Sequence, residues 1–189
     1  MTAPTTVASK ELALEKPREK GWIKVWDPLV RVFHWTFAGA VIIAYVSDGA
    51  RVTHESAGYI ALALVVIRLV WGMVGTHYAR FASFVRGPRA VYAYLGDILT
   101  MDARRYLGHN PAGGAMIVAL LFLVTITGVS GWLTTTDRFF GVWWMEDLHS
   151  LSADLLIAFA GLHVVGVFAS SFLHKENLVR AMITGKKRP

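Results

Sequence analysis

Seven histidines and no cysteine set the chemistry open to this chain. Without thiols there is no disulfide, no thiolate-held iron–sulfur cluster, no thiol nucleophile and no covalent C-x-x-C-H haem attachment. The histidines are unevenly placed: His34, His54, His149 and His163 lie within or at the ends of long apolar runs, whereas His77, His109 and His174 lie at their borders. An ionisable side chain inside a bilayer is costly, so the first four are functional candidates that should face a shared interior. The three at the borders are expected to be solvated. Among them His174, 11 residues past His163, is the competitor for His163's role.

His149 and His163 are separated by 14 residues, nearly four helical turns. They therefore project from almost one face, roughly 21 Å apart along the axis. One helix then offers ligands at two depths, with His54 matching His149 in an outer layer and His34 matching His163 in an inner one; bundle cores build cofactor sites from facing side chains in this way. A pair of imidazoles leaves a zinc ion short of its usual four ligands, and Asp154, about one turn below His149, is the nearest acidic residue. Haem iron needs only two axial ligands, so two pairs predict two six-coordinate haems. Arg68, 14 residues after His54, shares that histidine's face at the inner depth. A guanidinium there either pairs with haem propionates or snorkels to the nearby boundary.

These residues require membrane-spanning helices to position them. The chain has 189 residues, 54% hydrophobic and 17% charged, too apolar for an ordinary soluble domain. Four segments, about 28–47, 54–74, 113–133 and 149–173, are long and apolar enough to cross a bilayer, which needs roughly 20 such residues. Asp27-Pro28 reads as an N-cap followed by a first-turn proline, and His109-Asn110-Pro111 as the lead into the third span. The fold class expected is all-α: an integral membrane four-helix up-down bundle, with an interfacial helix at about 88–101 between spans two and three that presents Val91, Tyr94, Leu95 and Ile98 on one face. The connection 134–148 holds Phe139, Phe140, Trp143 and Trp144, aromatics suited to a headgroup boundary. Trp35, Trp71 and Trp132 read as anchors or packing residues. Gly39, Gly128, Gly131, Gly161 and Gly166 suit either a flat porphyrin or plain helix contact.

Basic residues set the orientation. Lys10, Lys16, Arg18, Lys20, Lys24 and Arg31 precede or open the first span; Arg80, Arg86, Arg89, Arg104 and Arg105 lie between the second and third; and Lys175, Arg180, Lys186, Lys187 and Arg188 follow the fourth. The remaining two connections carry only Arg51 and Arg138, so both termini are expected in the cytoplasm, with the chain multi-pass in the membrane. The N-terminal residues are polar and lack a cleavable signal pattern. The organisation expected is a polar tail over 1–24, a four-helix di-haem domain over 25–174 and a basic tail over 175–189. The formal charge of +6 is dispersed among apolar runs and forms no nucleic-acid patch.

Arg31-Val32-Phe33-His34-Trp35, His54-Glu55-Ser56-Ala57-Gly58-Tyr59 and Arg68-Leu69-Val70-Trp71-Gly72, followed by Gly108-His109-Asn110-Pro111, His149, His163 and His174-Lys175-Glu176-Asn177-Leu178, resemble the prokaryotic cytochrome b561 family over about residues 22–188. The resemblance implies a membrane cytochrome with two haem b groups, related to the b-type subunit of nickel–iron hydrogenases. It places His34 and His163 on the inner iron and His54 and His149 on the outer one. It also implies a quinone partner, ubiquinone or menaquinone, without naming residues for that site. The function expected is an oxidoreductase-type electron carrier between the quinone pool and a periplasmic redox partner such as a c-type cytochrome, with Asp137, Glu146 and Asp147 as a weakly acidic dock. The alternatives are a superoxide:ubiquinone oxidoreductase, with Arg51 or Arg138 attracting the anion, and the cytochrome subunit of a hydrogenase or dehydrogenase complex.

Overall fold

The computed structural model describes residues 21–189; most of the polar N-terminal stretch thus lies outside the described residues. Four helices have the length and composition of membrane spans: α1 (Pro28–Val46), α2 (Arg51–Val74), α5 (Pro111–Thr134) and α6 (Trp143–Leu173). Between α2 and α5 lie a 3-10 turn (His77–Ala79), α3 (Phe81–Phe84) and α4 (Pro88–Leu99), and after α6 come α7 (Leu178–Thr184) and strand β2 (Lys186–Lys187). Strand β2 pairs antiparallel with β1 (Ile23–Lys24), Ile23 opposite Lys187.

The helix starts follow local chemistry. Asp27 Oδ1 accepts from Val30 N at 2.9 Å and Pro28 supplies a fixed φ, so α1 begins where its orphan amides are met. Asn110 does the same for α5, accepting from Gly113 N at 2.7 Å ahead of Pro111. Helix α6 begins six residues before the expected start at His149. Its opening turns, Trp-Trp-Met-Glu-Asp-Leu, contain no breaker, and Glu146 in the first turn favours the positive end of the helix dipole. At 31 residues α6 is roughly 46 Å long, more than a hydrocarbon core of about 30 Å, so it reaches beyond the lipid tails.

Helix α1 packs on α2, α2 on α5 and α5 on α6. Large apolar side chains such as Ile42, Val66, Phe122 and Phe168 point outward, as a lipid-facing surface requires. At mid-depth Ala40, Ala61, Val65, Val124 and Leu156 form one buried cluster with a contribution from each span. Thr127 and Ser152 join α5 to α6 through a 3.0 Å hydroxyl hydrogen bond, a polar contact of the kind that holds helices together in lipid.

The end of the bundle where both described chain ends meet is closed by a cap. Val25, Trp26, Val30, Ala79 and Ala181 pack there as a second buried cluster. Residues 175–189 are thus folded into the structure and are not a loose tail. Glu176 takes Arg105 at 3.1 Å and Lys187 at 3.5 Å, and the Arg31 guanidinium donates to the Ile183 carbonyl. Gly185 turns the chain from α7 into β2 at φ +79°, a conformation that costs glycine little. Helix α4 lies against α5 with Tyr94 buried and Val91 and Ile98 half-buried, while Leu95 stays exposed.

Candidate functional site

Helix α6 carries His149 in its second turn and His163 fourteen residues on. The His149 ring faces His54 from the first turn of α2, with ring centres 5.8 Å apart at an interplanar angle of 79°. The His163 ring faces His34 from α1 at 6.4 Å and 50°. The four histidines singled out from spacing are therefore brought together as two cross-helix pairs, one near the cap and one toward the far end.

The far pair is held by backbone oxygens. His54 Nδ1 lies 2.8 Å from the Ala44 carbonyl at the end of α1, and His149 Nδ1 lies 2.8 Å from the Thr127 carbonyl on α5. With Nδ1–H donating to those oxygens, each Nε2 is left with its lone pair free for a metal. Gly131 makes the second contact possible: a Cβ there would come within 2.7 Å of the His149 ring. Sequence reasoning placed Gly131 among residues that admit a porphyrin or a helix; the structure uses it to admit an imidazole. Gly128 has the helix-contact role, because a Cβ there would strike Leu62. Cβ atoms at Gly39, Gly161 and Gly166 would meet nothing within 4 Å.

The pair spacing suits a metal held between the two rings, and the number of ligands narrows which one. Two metal–nitrogen bonds of roughly 2 Å, plus roughly 1.1 Å from nitrogen to ring centre on each side, require centres about 6 Å apart, and both pairs meet this. Among the described residues no group of three His, Cys, Asp or Glu side chains gathers as a bare ion would need. Two imidazoles about 6 Å apart suit an iron whose other four ligands come from a porphyrin.

Near the cap the polar environment differs. Arg68 is buried at 4% exposure, its Nη2 donates to the Ala79 carbonyl at 3.0 Å and its guanidinium lies 4.7 Å from the Phe81 ring centre. His109, expected in solvent, is wedged between Trp26 at 4.5 Å and Phe84 at 4.6 Å. Desolvation there, then the neighbouring Arg68 charge, brings its pKa down to about 3, so the ring is neutral. No local pattern signals this wedge, whose three rings come from distant segments. His77 is exposed as expected, and His174 caps α6 half-buried below the His34–His163 pair.

At the far end a recess of about 330 Å³ opens beside His149, with Arg51, Glu55, Thr134, Phe140 and Glu146 among its walls. Arg51 is paired there with Glu55 at 2.7 Å.

A bundle of four bilayer-length helices, three of which present intramembrane histidines to one another in stacked pairs, is the architecture of a membrane-embedded b-type cytochrome. The profile of the prokaryotic cytochrome b561 family matches residues 25–185, and the chain belongs to that family. It is thus a bacterial membrane haem protein of electron transport. At 23% identity it is similar to the probable Ni/Fe-hydrogenase B-type cytochrome subunits of Rhodobacter capsulatus (92% of this chain, 84% of that protein), Bradyrhizobium diazoefficiens (96% and 90%) and Azotobacter vinelandii (90% and 90%). No solved structure matches the chain.

Proposed function

We propose that this protein is a di-haem electron carrier between the membrane quinone pool and a redox partner at the far end of the bundle. In this reading His34 and His163 hold one haem b, His54 and His149 the other, and Arg68 meets a propionate of the first. The observation that carries it is the pair of cross-helix imidazole contacts at 6.4 and 5.8 Å, stacked on one helix. A bis-imidazole iron supplies a one-electron couple with no open coordination position, which favours electron transfer over oxygen activation. The residues supply rigid ligands, the mid-depth cluster around Leu156 separates the layers, and the outward apolar surface keeps both in lipid.

The distribution of basic residues supports a cytoplasmic cap and a periplasmic far end. The expected periplasmic partner is then a basic redox protein such as a c-type cytochrome, meeting Asp137, Glu146 and Asp147. The relatives' names favour a second partner, a hydrogenase, with the same haem chemistry. The alternative, a superoxide-oxidising role, would use Arg51 or Arg138 to attract the anion; Arg51 pairs with Glu55 at 2.7 Å beside the far-end recess, where Glu146 adds a negative charge.

A reduced-minus-oxidised spectrum with a pyridine haemochrome assay tests the reading. About two haems per chain are expected, and a colourless protein would end it. Co-purification with a hydrogenase separates the partner readings, and stopped-flow mixing with superoxide, with no haem reduction faster than the control, removes the third.

A further inference from the structure

The far histidines have their Nδ1 atoms satisfied, but around the near pair polar atoms are left open. His34 Nδ1, Arg68 Nη1 and His109 Nδ1 are all shut off from solvent with no hydrogen-bond partner among the described residues. Buried polar atoms without partners are rare in native proteins, and each requires an explanation. Two of them are joined by packed rings: Arg68 lies 4.7 Å from the Phe81 ring centre, Phe81 5.8 Å from Phe84 and Phe84 4.6 Å from His109.

No side chain at hand can complete Arg68. The acidic residue that acts on it is Asp27, and Asp27 is already used: Oδ1 by Val30 N, and Oδ2 by Thr76 Oγ1 at 2.6 Å and Trp71 Nε1 at 3.2 Å. Glu176 is taken by Arg105, Lys187 and Arg188 N. An unpartnered guanidinium donor and an unpartnered imidazole nitrogen on the cap side of the near histidine pair suit a carboxylate that arrives with a ligand.

We propose that Arg68 and His109 form one seat for a propionate of the near haem, with Arg68 Nη1 and His109 Nδ1–H donating to its carboxylate. His109 is then a fifth haem-contacting histidine that positions the group and does not ligate iron. This rests on the di-haem reading above. The aromatic wedge of Trp26 and Phe84 fixes the imidazole plane and excludes water, so the hydrogen bond forms in a dry site where it is strong.

The test uses the holoprotein in detergent. Resonance Raman spectra report propionate-bending bands, and transfer of haem to excess apomyoglobin reports retention. His109→Gln and Arg68→Gln are each expected to move one propionate band and to speed one of two transfer phases about tenfold, as loss of an outer-shell partner does. The double variant should change the phase no more than either alone. If Arg68→Gln does not accumulate, Arg68→Lys, which keeps the charge but loses the planar fork, should also move the band. A band that moves in only one of the two positions, or faster transfer with an unmoved band, overturns the shared seat while leaving two haems in place. A colourless wild-type protein overturns the seat and the di-haem reading together.

Discussion

An imidazole serves as a ligand only when its ring is aimed, and in this protein the aim comes from neighbours distant in sequence. His54 is fixed by the carbonyl of Ala44, and His149 by that of Thr127 across the gap left by Gly131. Substituting His54 or His149 by alanine should therefore halve the pyridine haemochrome yield by losing the far haem, and substituting His34 or His163 should lose the near one. A His163→Ala protein that keeps both haems while His174→Ala loses one would reverse the near assignment. Gly131→Ala should act like a partial ligand loss, because the methyl displaces the His149 ring. Overpacking of this kind costs about 1–3 kcal/mol, to be seen as weakened far-haem retention with the near haem unaffected.

Individual elements are joined by few residues with several tasks each. Asp27 caps α1 and also receives Thr76 and Trp71, tying α1 to the end of α2. Burial alone would raise its pKa, but those hydrogen bonds and the Val30 amide outweigh burial and hold the carboxyl below its usual value. Asp27→Ala should cost about 2 kcal/mol, a cap plus the stranded indole and hydroxyl donors, measured as a lower thermal midpoint in detergent. The start of α1 was legible because Asp-Pro is a local signal. The link to Trp71 and Thr76 was not, since it depends on α1 and α2 lying side by side with their capped ends level.

For the whole molecule, the cap binds the two ends of the described chain into one unit through β1, β2, α7 and the Arg105–Glu176–Lys187 cluster. Burial pushes the Glu176 pKa up, but Arg105 and Lys187 more than offset it, so the folded value lies below the ordinary 4.5. The stabilisation from Glu176 is accordingly complete above pH about 4.5 and lost as pH falls through the depressed folded value. Acid should loosen residues 175–189 first, seen as faster amide exchange there than in α5 at low pH. Glu176→Gln should bring about the same loosening at neutral pH, because it leaves the Lys187 ammonium, buried at 4% exposure, with the Tyr106 carbonyl but no counter-charge, at a cost of about 3 kcal/mol.

The sequence alone determined the number of spans, the histidine layers and the family resemblance, because bilayer thickness and helical period act on consecutive residues and leave a readable pattern. Tertiary structure decided the rest: that His109 is wedged between Trp26 and Phe84, that Arg68 turns into the cap, that Gly131 yields to an imidazole and that the last residues form a strand. Each of these depends on segments that meet only after the helices assemble, and contact between distant segments has no period to read.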